Sequence, residues 1–303
     1  MTMRTTVRAA AKINLFLDIT GKRSDGYHIV NMVMQSVSLY DEVTVTIEKG
    51  DGEINVSCTD ESIPCDETNT AYQAVKAFFE YAQIKPKNVW VKIKKRIPSQ
   101  AGMAGGSTDA AAVLVALNEM LDTGFSQDEL AEIAENIGAD VPFCIYGGTM
   151  TANGIGTILT PLPEMPECYI VVVKPDIKIS TKEAYEKSDS MGYEQCRSVE
   201  SMADAICRGD IKAVGKALYN KFEEVADIRE IDDIKSMMKQ SGALGALMTG
   251  SGSAVFGIFD DEDKADECKS RLSEKYNEIF IVHPVPNGPS QIVHGRIIGS
   301  LLK

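Results

Sequence analysis

The chain has 303 residues, 44% of them hydrophobic and 25% charged, with a formal net charge of -13. That composition is ordinary for a globular chain and leaves apolar surface for two domains or one large one. So acidic a chain is not a general binder of nucleic acid or of anionic membranes, both of which need clustered positive charge. No stretch approaches the length of a membrane-spanning helix. The opening segment is interrupted by Lys12, Asn14 and Asp18 and does not read as a signal peptide. Seven cysteines without a CxxC pair predict a reducing, cytoplasmic setting, not a disulfide framework or a zinc site.

Residues 4–19 read as a strand, with Lys12 and Asn14 two apart and therefore on one face. A lysine there either points into a polar cleft or snorkels to solvent. GKRSDGYH (21–28) is a loop in which Tyr27 and His28 either grip a planar ligand or pin the loop itself. Residues 30–48 alternate as one or two strands, GDGE (50–53) predicts a hairpin turn, and INVSC is the return strand. A helix is predicted over 70–82, capped by Thr68 or Asn69, although Asn69 has the chemistry to face a ligand instead. NVWVKIK (88–94) is a strand, and KIKKR (92–96) is either the basic rim of a phosphate pocket or a solvated strand edge.

That strand runs into KKRIPSQAGMAGGSTDAAAVLVAL (94–117). Gly102, Gly105 and Gly106 allow a tight turn with its N–H groups close to a ligand, and Ser107, Thr108 and Asp109 offer cap-type side chains to the helix that follows. The start of that helix suits an anion, and a phosphate fits so large a nest. The stretch has neither the Rossmann spacing nor the GK[ST] ending of a Walker loop, and a plain flexible turn is the competing reading. SQDELAEIAENIG (126–138) is a helix with a Ser126–Glu129 capping box and a stop at Gly138. Asp140 follows, beside Pro142. If buried it needs a cationic partner such as a lysine; otherwise it is a solvated turn residue. Residues 145–163 read as hairpin strands, and the Pro-rich 161–167 marks the boundary between domains 1–163 and 164–303.

The second half opens with a buried strand (168–175), then Ser180 and Thr181 and a short helix bearing Tyr185. Helices follow over 198–208, 211–226 and 231–242. TGSGS (249–253) lies between apolar strands as a second anion nest or a tight β-turn. An amphipathic helix (260–276), a last strand and a tail around His294, to which no function is assigned, complete the chain. Two glycine-rich nests, a strand lysine and a loop aspartate meet the needs of phosphoryl transfer: positioning, charge neutralisation and a base for the acceptor hydroxyl.

Four segments carry a resemblance. AAAKINLFLDITGKRSDGYH (9–28), PSQAGMAGGSTDAA (98–111), GADVPF (138–143) and LMTGSGSAVFGIF (247–259) are similar to the motifs of the GHMP small-molecule kinases. The GYH loop and GADVPF point to the branch acting on 4-diphosphocytidyl-2-C-methyl-D-erythritol in the non-mevalonate isoprenoid pathway. The resemblance implies an α/β two-domain fold, with a first domain like ribosomal protein S5 domain 2 and a ferredoxin-like second domain. It implies ATP and Mg²⁺, a small-molecule acceptor, no nucleic-acid or membrane partner, and a monomer or weak homodimer. Asp140 would be the general base, kept ionised by Lys12. Tyr27 and Tyr185 would sandwich the cytosine, His28 would bond its edge, and Asn14 would position the erythritol. Thr181, Gly250 and Ser251 would face the diphosphate. Pro98, Gly102, Met103, Ala104, Gly105, Gly106, Ser107 and Thr108 would line the ATP phosphates, with Asn69 and Lys95 near the adenine, and no protein metal ligand is expected. Ala104 stands where many members carry Gly, and an alanine fits there if φ is negative; Asp109 stands where some carry Asn, and an acid there is unfavourable beside phosphates unless it caps the helix facing away. Mevalonate and homoserine as acceptors fit the GYH loop less well, having no planar base. A silent nucleotide-binding regulator would have no use for Lys12 and Asp140 together.

Overall fold

The computed structural model describes residues 2–193, 198–293 and 296–298; Cys196 and His294 lie outside them. The first half comprises β1 (Met3–Lys22), β2 (His28–Glu48), β3 (Ile54–Cys58), α1 (Thr70–Ala82), β4 (Asn88–Lys94), α2 (Gly105–Leu121), α3 (Gln127–Glu135), α4 (Val141–Tyr146), β5 (Thr149–Asn153) and β6 (Ile158–Pro161). The second half begins with β7 (Tyr169–Lys174), α5 (Thr181–Met191), α6 (Val199–Cys207), α7 (Ile211–Ala217), β8 (Tyr219–Asn220) and α8 (Lys221–Ala226). It continues with α9 (Arg229–Gln240), β9 (Gly245–Met248), β10 (Val255–Phe259), α10 (Glu262–Ser273), β11 (Glu278–Val282), β12 (Ser290–Val293) and β13 (Arg296–Ile298). The result is a two-domain α/β fold: an N-terminal sheet covered by helices, and a four-stranded antiparallel sheet in the order β11-β7-β10-β9 backed by α9 and α10 in ferredoxin-like fashion.

The organising element is β1, a 20-residue strand paired along its length with the 21-residue β2. Shifts of register at Ala10/Ala11, Asn14/Phe16 and Ile19/Gly21 bend this ribbon, as bulges do. One half of β2 then pairs with β4 and the other with β5. Along the opposite edge of β1, β12 pairs at Val7–Arg8 and β8 at Phe16–Leu17. Between them the edge is open to loops, and both glycine-rich turns dock there. The Lys12 N–H donates to the Met103 carbonyl at 3.1 Å, and the Asn14 N–H donates to Thr249 Oγ1 at 2.9 Å. The two strands contributed by residues 219–220 and 290–293 come from the second half, so the second half returns to the first sheet at each end of this gap.

Alternation along β1 separates two environments. Ala11, Ile13 and Leu15 share a buried core with Val172 and Phe256 of the second sheet, while Lys12 and Asn14 point the other way, also buried. The remaining core packs Phe78, Leu114, Phe143 and Met34 under the helices.

Three local expectations change. The segment after Asp51 is not a hairpin return: β3 pairs in parallel with β4, which inserts beside β2. Asn88 Oδ1 accepts from the Gly52 and Glu53 N–H groups and ties the intervening loop to β4 instead. The start of the stretch read as hairpin strands, with the residues before it, forms α4, with Pro142 in its first turn where the missing N–H costs nothing. The helix expected over 211–226 is broken at 218–220. There Asn220 donates to the Met248 and Gly250 carbonyls at 2.7 and 2.8 Å and caps α8 through the Phe222 N–H. These side-chain bonds outcompete the continuing helix.

Candidate active site

The chemistry-bearing residues of the gap converge. Lys12, only 4% exposed, donates from Nζ to Asn14 Oδ1 at 2.7 Å and lies 3.5 Å from Asp140 Oδ2. Asp140 is the residue entering α4, and its carboxylate makes no cap bond there, which leaves it free to meet the lysine. The strand lysine is thus buried and paired and does not snorkel to solvent, and the loop aspartate has its cation.

Beside this pair, α2 begins at Gly105. The helical register leaves the N–H groups of Gly105, Gly106 and Ser107 without intrahelical acceptors, and Ala104 supplies no side-chain cap. This is a free N-terminal turn of a 17-residue helix, with the positive end of its dipole exposed. The loop before it is held by the second turn. A Cβ on Gly102 would lie 2.1 Å from the Thr249 carbonyl oxygen, and Thr249 Oγ1 donates to the Gly102 carbonyl at 3.3 Å. The two nests are therefore in contact, and only a glycine lets them approach this closely. Ala104 has φ +57, not the negative value expected. This left-handed alanine is a strained residue at the mouth of the helix, of a kind that gathers at ligand clamps.

Asp109 does not cap α2. It turns away beneath the loop, where its Oδ2 accepts from Lys95 Nζ at 2.8 Å, and Lys95 also pairs with Asp41. Asp41 Oδ1 accepts from the Arg96 and Ile97 N–H groups, so the three side chains tie β2, the 95–97 segment and α2 together. Burial pushes the Asp109 carboxyl upward against the pull of Lys95. Burial also works against the charge on Lys95, but the two carboxylates outweigh it and raise its pKa. Asn69 is equally engaged: it caps α1 through the Ala71 N–H and donates to the Pro64 carbonyl. Lys95 and Asn69 thus have their polar atoms committed within the protein, and Pro98, Met103 and Thr108 are buried in the walls of the loop.

On the other side of Asp140 lies the planar-group loop. His28 stacks on Tyr185 with ring centroids 4.3 Å apart and planes at 22°. Burial pushes the Tyr185 hydroxyl up to about 12, and the nearby Asp140 charge adds to it. Tyr27 is 60% exposed and stands apart from this stack. Thr181 Oγ1 and Ser251 Oγ meet at 2.7 Å, joining the start of α5 to the second nest. Gly250 packs against Gly102 in the same turn.

The arrangement leaves a helix start suited to an anion at α2, sets a carboxylate and an ammonium near it, and offers aromatic and hydroxyl groups beyond. Two family descriptions match: "GHMP kinases N terminal domain" over residues 69–148 and "GHMP kinases C terminal" over 202–278. The chain belongs to the GHMP kinases. Among curated relatives, the 4-diphosphocytidyl-2-C-methyl-D-erythritol kinase of Clostridium tetani is 44% identical over 277 residues, covering 91% of this chain and 98% of its own. That of Clostridium beijerinckii is 42% identical over 281 residues, covering 92% and 99%. A crystal structure of 4-(cytidine 5'-diphospho)-2C-methyl-D-erythritol kinase superposes with TM-score 0.77 at 30% identity, covering 95% of this chain and all of that one. The homoserine kinase of Cytophaga hutchinsonii gives the same TM-score of 0.77 at 19% identity and shares the fold.

Several residues of this kinase site carry no local sequence signal. Asp41 lies inside a long strand, Thr249 reads as a turn residue, and Asn220 lies inside a helical pattern. Asp189, whose Oδ1 lies 2.6 Å from His28 Nε2, could have been found: it lies four residues beyond Tyr185 and so on the same helix face.

Proposed function

We propose that the chain transfers the γ-phosphoryl group of ATP to the 2-hydroxyl of 4-diphosphocytidyl-2-C-methyl-D-erythritol, giving ADP and the 2-phosphate, a step of non-mevalonate isoprenoid precursor synthesis. The observation that carries this reading is the 3.5 Å approach of Lys12 to Asp140 beside the uncapped start of α2. Asp140 takes the proton of the acceptor hydroxyl as its oxygen attacks phosphorus, which is general-base catalysis by a group held within reach of the reacting atoms. Lys12 pairs with Asp140 at 3.5 Å and faces the charge on the transferring group. The N–H groups of Gly105–Ser107 bind the phosphate chain, and Gly102, Met103 and Ala104 shape its path. Lys95 acts from below, fixing the loop through Asp41 and Asp109, and Asn69 fixes the start of α1 alongside.

Mg²⁺ would arrive with the nucleotide, an ion that commonly takes no more than one or two protein carboxylates. Among the described residues no group of three or more His, Cys, Asp or Glu side chains is placed to hold a metal. When bound, the ion would neutralise charge on the phosphates. On the acceptor side, Tyr27, His28 and Tyr185 take the cytosine, Thr181, Gly250 and Ser251 face the diphosphate, and Asn14 positions the erythritol. Among the described residues no helix is long and apolar enough to cross a membrane, and the described cysteines are free thiols, which suits a cytoplasmic enzyme. Steady-state turnover of the cytidylated acceptor with MgATP tests the reading. ADP formed one-for-one with a new phosphomonoester supports it, and ADP formed without acceptor phosphorylation overturns it.

A further inference from the structure

The carboxylate of Asp189, to which phosphoryl transfer assigns no role, is the hub of a cluster around His28. Its Oδ1 lies 2.6 Å from His28 Nε2 and accepts from the Tyr193 hydroxyl at 2.8 Å, and its Oδ2 accepts from Lys22 Nζ at 2.5 Å. The Lys22 hydrogen bond, helped by those of His28 and Tyr193, holds this carboxyl well below the usual range, so it is ionised near neutrality. An ionised carboxylate only accepts hydrogen bonds. The hydrogen in the His28–Asp189 contact therefore belongs to Nε2. The imidazole is pinned in its plane by the same contact and by its stack on Tyr185, and its side chain is 11% exposed.

We propose that Asp189 is a positioning residue for base recognition: it keeps the hydrogen of His28 on Nε2 and leaves Nδ1 as a bare acceptor for the pyrimidine edge. This rests on the cytidine-linked acceptor proposed above. An acceptor nitrogen takes a hydrogen from the exocyclic amine of cytosine, whereas uracil presents a carbonyl oxygen at that position and the two lone pairs repel. Fixing the tautomer thus turns an otherwise ambivalent ring into a group that prefers cytosine over uracil. Lys22 has a different part: it touches only Oδ2 and ties the end of β1 to α5.

The test uses the full chain labelled with ¹⁵N-histidine. There are three histidines, so Asp189→Ala and His28→Gln spectra together assign the His28 signals. In the wild type, Nε2 is expected to show the protonated pattern and Nδ1 the unprotonated one, and Asp189→Ala is expected to give mixed tautomers. Kinetically, Asp189→Ala should raise KM for the cytidylated acceptor by about ten- to a hundredfold, the scale of a lost bond to a charged group, with kcat changed less than about threefold. Its preference for the cytidine- over the uridine-linked acceptor should fall about tenfold, and Asp189→Glu should restore part of it. Lys22→Met should keep the preference. A wild-type ring protonated on Nδ1 overturns the proposal. So does an Asp189→Ala enzyme of native circular dichroism with unchanged preference, or a Lys22→Met enzyme that loses it equally. If the wild type does not phosphorylate the cytidylated acceptor at all, the functional reading fails, and the tautomer is still decided by the spectra.

Discussion

Asp140→Asn separates catalysis from folding. The asparagine keeps the shape of the side chain, so the acceptor should still bind, but it cannot take the proton of the attacking hydroxyl. A positioned general base contributes about 10²–10⁴ in rate, and kcat should fall by that factor with KM within about threefold. The structural cost is smaller. Unit charges 3.5 Å apart attract by about 5 kcal/mol at an effective dielectric near 20. The Asp140 side chain is 33% exposed, and solvent screening and the desolvation of Lys12 reduce that attraction to a net of about 1–2 kcal/mol. Lys12 keeps its bond to Asn14 in the variant. The melting temperature should drop by about 2–6 °C, too little to unfold the chain at assay temperature. ADP release is followed by a coupled assay at saturating MgATP, alongside a thermal scan of the same preparation. A folded variant retaining more than about a tenth of wild-type kcat would refute a proton-accepting role for Asp140.

Three further outcomes follow from the loop and the charges beneath it. Gly102→Ala places a Cβ 2.1 Å from the Thr249 carbonyl at φ +72, so it should separate the two nests. A loss of about 2 kcal/mol or more is expected, together with a higher KM for ATP, and a variant of native stability and KM would contradict the packing described. Ala104→Gly relieves a left-handed alanine and should raise stability in urea by about 0.5–1 kcal/mol, the relief being partly offset by the freer unfolded chain; a loss would contradict the strain. Asp109 binds its proton more tightly folded than unfolded, its pKa being pushed up to about 8 by burial from 3.8. A raised folded pKa means that this group's contribution is complete at low pH and is lost as pH rises. Stability should therefore fall between about pH 4 and 8 with a slope of at most about 1.4 kcal/mol per pH unit, and level off above. Asp109→Asn should flatten that slope, and an unchanged slope in denaturant titrations would remove Asp109 as its cause.

Much of the site was legible because its parts obey local rules. Lys12 and Asn14 share a face by strand period, the Ser126–Glu129 box and the Asn69 cap appear as the spacing requires, and the glycines mark both nests. What escaped was decided by contacts distant in the chain. The pairing of β3 with β4 depends on Asn88, 36 residues from Gly52. The break at residues 218–220 depends on carbonyls at the end of β9 and in the turn after it. No propensity encodes the positive φ of Ala104, since an alanine disfavours the left-handed region. The Asp41–Lys95–Asp109 cluster joins three segments whose charges look like surface residues in the sequence. α4 was hidden because VPFCIY, buried on nearly every side, has no helical period to read.

The central claim is that Lys12, Asp140 and the start of α2 transfer phosphate to a cytidine-bearing alcohol. Phosphorus NMR of product mixtures from the purified enzyme tests it directly, comparing the cytidylated methylerythritol with its uncytidylated 4-phosphate, mevalonate and homoserine. The account predicts one new phosphomonoester per ADP on the cytidylated acceptor and kcat/KM at least about a hundredfold lower for the others. Equal or faster phosphorylation of an acceptor that lacks the base would contradict it.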